Sequence, residues 1–169
     1  QYLRKGQNIG KVVVQVYAER WQPLAAGFGD TTELVSGGGS GLGLITARWL
    51  AEQSHGRHLL LVSRSGALGV AAARAVRESG ANVRTGKCDV GDPTEFAALA
   101  AGAWCELPAV SGLWHAAGVL ADGLLGGQSA ESLRISYGPK ASGALHIHRL
   151  CAAAPLRACG AFSSIAAPL

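Results

Sequence analysis

The stretch that decides the fold is Ser36-Gly37-Gly38-Gly39-Ser40-Gly41-Leu42-Gly43. A β-prone run, 31–35, precedes it, and in the segment 44–53 that follows, Leu44, Ala47, Leu50 and Ala51 recur at helical spacing. The order is strand, glycine turn, helix. Glycines suit such a turn because the chain must reverse sharply, let a diphosphate approach bare backbone, and pack the helix closely on the strand. The phosphates then sit at the helix N-terminus, where unpaired N–H groups and the helix dipole favour negative charge. Ser40 stands where a Gly-x-Gly-x-x-Gly spacing needs glycine, so the pattern that fits is Gly-x-x-x-Gly-x-Gly over Gly37, Gly41 and Gly43. A flexible Gly/Ser loop has the same composition, and the flanking strand and helix patterns argue against it.

A chain of 169 residues with 49% hydrophobic and 15% charged residues suits one domain with a real core. It contains no methionine, at position 1 or elsewhere, and is expected to be an internal piece of a longer polypeptide. The formal net charge is +4, but the basic residues are scattered singly from Arg4 to Arg157 without interleaved aromatics. Nucleic acid is therefore not expected as a partner, and the basic balance suits a phosphorylated cofactor and an acidic carrier protein. Cys88, Cys105, Cys151 and Cys159 form no CxxC pair and no disulfide framework, and read as small apolar residues in a reducing compartment. His146, His148 and Cys151 lie close in sequence but lack a second ligand pair, so no metal is expected. No apolar run approaches the roughly 18 residues of a membrane span, and the N-terminus with Arg4 and Lys5 has no signal-like core. A cytoplasmic location without membrane association is the expectation.

Residues 1–16 read as a loop followed by a β-branched strand, Lys11-Val12-Val13-Val14-Gln15-Val16. Residues 17–30, with Trp21, Pro23, Gly27 and Gly29, have linker composition. From 31 onward, apolar runs alternate with helical patterns. Strands are predicted at 33–36, 58–63, 82–88, 110–115 and 159–163, and helices at 41–54, 68–78, 93–103 and 129–153. This βαβ alternation implies an α/β, Rossmann-like doubly wound parallel sheet with right-handed crossovers.

Each strand ends in residues suited to a dinucleotide. The second ends in Ser63-Arg64-Ser65, where an acidic residue would bind the ribose 2′-hydroxyl of NAD. Arg64 can instead pair a 2′-phosphate bidentately, which favours NADPH; the alternative is a plain surface arginine. The third ends in Asp89-Val90, with Asp89 placed to accept a hydrogen bond from adenine or to act as a turn carboxylate. Asp92-Pro93 reads as a helix start. The fourth ends in His115-Ala116-Ala117-Gly118, whose small residues would let the nicotinamide ribose lie against backbone. His115 itself suits a hydrogen-bonded structural position.

These motifs, in order, are Ser36-Gly-x-x-x-Gly-x-Gly43, Leu61-Val-Ser-Arg-Ser-Gly66, Cys88-Asp-Val90, His115-Ala-Ala-Gly-Val-Leu120, Pro139-Lys-x-x-Gly-Ala-x-x-x-His148 and Phe162-Ser-Ser-Ile-Ala166. Together they resemble the ketoreductase domain of type I polyketide synthases and animal-type fatty acid synthases, within the short-chain dehydrogenase/reductase superfamily. The resemblance covers residues 33–167. Gly6-Gln7-Asn8-Ile9-Gly10-Lys11-Val12-Val13 resembles the C-terminal end of the enoyl reductase domain of such synthases. The implied organisation is an enoyl reductase-like tail over 1–16, a linker over 17–30, and an NADPH-binding ketoreductase domain, C-terminally truncated, over 31–169.

The resemblance implies reduction by NADPH of a β-ketoacyl group on an acyl carrier protein, beside neighbouring synthase domains. It implies cofactor contacts from Ser36, Gly37, Gly38, Gly39, Ser40, Gly41, Leu42, Gly43, Ser63, Arg64, Ser65, Asp89, Val90, His115, Ala116, Ala117 and Gly118. Lys140 takes the place of the family's lysine, whose ammonium lowers a tyrosine pKa, and Ser164 that of the serine that hydrogen-bonds the carbonyl oxygen. The family's proton-donating tyrosine, in a Tyr-x-x-x-Asn turn after the serine, is expected beyond Leu169. Tyr137 precedes Lys140 by three, not four, residues and reads as structural. Asp122 keeps the last aspartate of the Leu-Asp-Asp found in members that form D-configured products, and Ala121 departs from it. The alternatives are a non-catalytic cofactor-binding or structural fragment, or a stand-alone short-chain reductase.

Overall fold

The computed structural model describes residues 30–53, 58–121, 123–152, 154 and 156–163. The expected enoyl reductase-like tail and nearly all of the linker, together with Asp122 and Ser164, lie outside the described residues. Five parallel strands, β1 (Thr32–Ser36), β2 (His58–Ser63), β3 (Asn82–Lys87), β4 (Val110–His115) and β5 (Ala158–Ala161), form one sheet in the order β3-β2-β1-β4-β5. The order runs outward from β1 in both directions, so the doubly wound sheet expected from the sequence is the one observed. β2 and β4 have the predicted ends, and those of β1, β3 and β5 differ by one or two residues, the usual scatter of element boundaries.

Period-two alternation assigns the strand side chains to two cores. Leu34, Leu60 and Val62 face one side, where Phe96 of α3 (Pro93–Glu106), with Leu99 and Ala103 beside it, and Ile147 and Cys151 of α5 (Gly143–Cys151) cover them. Val35, Leu59 and Leu61 face the other, against Ala47, Leu50 and Ala51 of α1 (Gly41–Gln53) and Val76 of α2 (Val70–Glu78). Both faces of β1 are thus covered, and all five of its residues are buried. One of them is a carboxylate: Trp114 Nε1–H donates to Glu33 Oε2 at 2.8 Å, and the Trp114 ring meets Trp49 edge-on at 5.9 Å. Buried polar groups persist in this way when they are hydrogen-bonded.

Local chemistry sets the helix starts. Asp92 caps α3, its Oδ1 accepting from the Thr94 and Glu95 N–H groups, with Pro93 at the first helical position as the sequence suggests. Helix α2 begins at Val70, two residues later than predicted, behind Gly69, which provides no side-chain cap. The single helix predicted over 129–153 is interrupted. The chain instead forms α4 (Ala130–Tyr137), a π-helical turn at Gly138–Ser142 and then α5. Pro139 has no N–H to give, and its ring crowds the carbonyl one turn earlier, so the α-helical ladder opens there. No helix among the described residues is long and apolar enough to cross a membrane.

Candidate functional site

The C-terminal ends of β1 to β4 converge beside the point where the crossovers change direction, between β1 and β4. In an open α/β sheet this is where a crevice forms and ligands bind. A cavity of about 570 Å³ opens there.

The glycine turn forms its floor. Gly37 has φ +71°, and a Cβ on it would stand 2.8 Å from the Ala116 carbonyl carbon, so both its conformation and its space exclude a side chain. Its N–H is held by the Val62 carbonyl at 2.7 Å. A Cβ on Gly43 would run into the Gly37 carbonyl, so this glycine lets the first turn of α1 pack directly on the loop. Gly37, Gly39 and Ser40 line the cavity at the start of α1. The first N–H groups of that helix have no intrahelical acceptors. Among the described residues, the Ser40 hydroxyl has no protein partner.

The β2 end supplies the next wall. Ser63 Oγ accepts from the Gly66 N–H at 3.2 Å, and Ser65 Oγ accepts from the Ala67 N–H at 3.2 Å, so the serines shape their own turn. Arg64 lines the cavity from the same turn, exposed and with no acidic partner among the described residues. The β3 end adds Cys88, Asp89 and Val90. Asp89 Oδ1 accepts from the Gly91 N–H at 2.8 Å, the turn role foreseen as an alternative, while the residue still lines the cavity. Burial, reinforced by the nearby Glu95, Asp89 and Asp92 carboxylates, pushes the Cys88 thiol up to about 11. It is therefore a neutral, unreactive wall residue.

The β4 end supplies Ala117, Gly118 and Val119, and the π turn supplies Pro139. Lys140 follows Pro139, and its side chain passes over Gly118, with Cε 3.2 Å from where a Cβ on that glycine would be. Lys140 is itself absent from the cavity wall, but its side chain lies beside Gly118, which lines it.

The expected cofactor residues divide into two groups. Gly37, Gly39, Ser40, Ser63, Arg64, Ser65, Asp89, Val90, Ala117 and Gly118 share the cavity. Ser36, Gly38, Gly41, Leu42, Gly43, His115 and Ala116 are absent from its wall. Leu42 points to solvent at 59% exposure. Ser36 and His115 are buried and bonded to each other, Ser36 Oγ to His115 Nδ1 at 2.6 Å, and His115 Nε2 lies 3.1 Å from the Lys140 carbonyl oxygen. Desolvation lowers the His115 pKa, so the imidazole is neutral near pH 7. Tyr137, expected to be structural, is 69% exposed at the end of α4. His146 Nδ1–H donates to the Val90 carbonyl, Cys151 is in the core, and no metal-holding group of His, Cys, Asp and Glu exists among the described residues. Residue-type reasoning missed Val62, Ala67, Cys88, Val119 and Pro139 as wall residues. Val62, Cys88, Val119 and Pro139 lie within the quoted motifs and Ala67 directly follows one, but as apolar groups they carry no chemical signature.

A family model described as KR domain matches residues 31–169. The chain is 36% identical over 173 residues to the spectinabilin polyketide synthase system protein NorB of Streptomyces orinoci, and that match covers all of this chain and 8% of the relative. It is also 36% identical to the erythronolide synthase EryA2 of Saccharopolyspora erythraea, again along all of this chain and 4% of the relative. It therefore spans less than a tenth of the length of these curated relatives. Among solved structures, A-type ketoreductases from a modular polyketide synthase superpose with a TM-score of 0.73 at 35% identity, over 82% of this chain and 30% of theirs. An A1-type ketoreductase gives 0.73 at 34% identity, over 89% and 33%. With the family's motifs lining one crevice of a doubly wound sheet, the chain belongs to the KR domain family, the ketoreductase domains of polyketide synthases.

Proposed function

We propose that the chain holds NADPH in this cavity and serves the reduction of a β-ketoacyl group, carried on an acyl carrier protein, to the β-hydroxyacyl product. The observation that carries the reading is the convergence of four strand ends and the π turn on one crevice. Three features support the fit: the glycine cradle a side chain would fill and, among the described residues, the Ser40 hydroxyl without a protein partner and the Arg64 guanidinium without an acidic one.

In this reading Gly37, Gly39 and Ser40 bind the diphosphate at the N-terminus of α1. Arg64 pairs the 2′-phosphate, for which its planar fork is suited. Asp89 accepts from the adenine amino group. Ala117 and Gly118 leave room for the nicotinamide ribose. NADPH, when bound, supplies the hydride that adds to the β-carbonyl carbon. Lys140 places a positive charge beside that end of the cavity, where it favours the anionic form of a proton-donating phenol. Ser164 takes the role of hydrogen-bonding the carbonyl oxygen, and the proton donor is the tyrosine expected beyond Leu169. The oxygen then carries the added proton, and the carbon the hydride. Both synthase relatives match along the whole chain, which supports placing residues 1–30 in the same kind of multidomain protein as an enoyl reductase-like tail and linker.

The test is NADPH consumption by the full-length protein with a β-ketoacyl thioester, with the product identified by mass. Stoichiometric β-hydroxyacyl product is expected. Cofactor binding with no consumption would reduce the site to a non-catalytic holder, and no binding would remove the reading altogether.

A further inference from the structure

The geometry takes one buried, two-sided hydrogen-bonding group out of the cofactor role that the resemblance implied for it. His115 ends β4, is 7% exposed, and lies outside the cavity wall. One ring nitrogen faces the Ser36 hydroxyl at the end of β1, and the other faces the backbone carbonyl of Lys140 in the π turn. A carbonyl oxygen can only accept, so Nε2 carries the proton, and Nδ1 accepts from the Ser36 hydroxyl. The lowered pKa of the ring agrees with this neutral state.

The partner's location gives the contact its meaning. Lys140 sits where the helical ladder is open, and its carbonyl accepts from the Gly143 N–H as well as from His115. A side chain from another element that bonds into the ladder is a recognised cause of such an opening. Gly143 makes the approach possible, since a Cβ there would stand 3.3 Å from His115 Cε1 and 2.9 Å from Val90 Cγ2. One imidazole therefore ties the start of the glycine loop, the end of β4 and the lysine-bearing turn to one another.

We propose that His115 is a positioning residue for Lys140: its Nε2–H bond to the Lys140 carbonyl fixes the π turn so that the lysine side chain lies over Gly118. The proposal rests on the reductase reading above. It assigns His115 a backbone partner rather than a cofactor contact, and it makes the ring's donor group, not its bulk, the functional property.

The test compares His115→Gln with His115→Met in the full-length protein. The two side chains have similar shape, and only glutamine has an N–H that can reach the Lys140 carbonyl. Misplacing a reacting group by about an ångström can cost up to about 100-fold, so His115→Met is expected to lose at least about tenfold in kcat. Its KM and NADPH dissociation constant are expected to stay within about threefold, because the cavity wall is unchanged. His115→Gln is expected to recover most of the kcat. Where His115→Met does not fold, His115→Asn, too short to reach the turn, takes its place with the same expectation. Equal kcat in the donor and non-donor variants, whether both high or both low at matched Tm, would overturn the proposal while leaving the reductase reading intact. An inactive parent protein would instead overturn that reading and this assignment together.

Discussion

Arg64 and Cys88 occupy the same cavity wall yet make opposite chemical demands on it. Arg64 keeps its charge in the open, and a charged hydrogen bond is worth about 1.5 to 3 kcal/mol. Arg64→Ala is therefore expected to weaken NADPH binding by about 10- to 100-fold and leave NADH within about threefold, as read by cofactor fluorescence titration. An equal loss for both cofactors would mean that Arg64 only shapes the turn. Cys88 is held neutral by burial and by neighbouring carboxylates, with its thiol at about 11 against an ordinary 9.0. The folded chain thus keeps a proton that the unfolded chain gives up. The associated stability is full below pH 9 and is lost as pH rises toward 11, about 2 to 3 kcal/mol in all. The Tm advantage of the parent over Cys88→Ala is expected to shrink across that window, and an unchanged difference would show that the thiol titrates normally.

In the strand–glycine–helix element sequence and structure agree for a steric reason. Gly43 faces the Gly37 carbonyl with no room for a methyl group. Gly43→Ala is expected to displace α1 from the loop and cost more than tenfold in NADPH affinity by the same titration, since the diphosphate needs the backbone at close range. Retention of affinity would show that the loop yields. At α3, the backbone N–H bonds from Glu95 and Thr94 lower the Asp92 pKa. That contribution is present above the ordinary carboxylate value of 3.8 and lost as pH falls through the lowered one. Asp92→Ala is expected to lower Tm at neutral pH, and the difference from the parent should shrink in acid.

Strands were legible because continuous apolar runs such as Leu59 to Val62 signal burial on both faces. Gly37, Gly39, Arg64 and Asp89, which line the cavity, were legible as candidates because their chemistry suits phosphate, 2′-phosphate and amine partners. The break in the 129–153 helix was carried in sequence by Gly138-Pro139, but its geometry depends on a histidine more than twenty positions earlier. Helical periodicity is local and cannot report such a contact. For the same reason His115 resembled a cofactor residue in sequence: Ala117 and Gly118, which do line the cavity, follow it closely, while its own ring is buried between the Ser36 hydroxyl and the Lys140 carbonyl.

At the level of the molecule, among the described residues the sheet's order leaves β5 at one edge, with Cys159 and Ala161 exposed and the Trp114 ring packed beside Gly160. An edge strand with exposed apolar neighbours such as Phe162 is a template for intermolecular pairing. The polypeptide of residues 1–169 expressed alone is expected to aggregate or melt without cooperativity. A sharp, reversible, two-state transition would show that this sheet is self-sufficient.

The central claim concerns a hydride, and following that hydride tests it most directly. The full-length protein is given a β-ketoacyl thioester and NADPH carrying deuterium at the nicotinamide carbon that donates it, and the product is examined by mass spectrometry and fragmentation. The expected result is one deuterium on the β-carbon of a β-hydroxyacyl product, with turnover falling sharply in Lys140→Ala. Unlabelled product, or no product from a protein that still binds NADPH, would contradict the account.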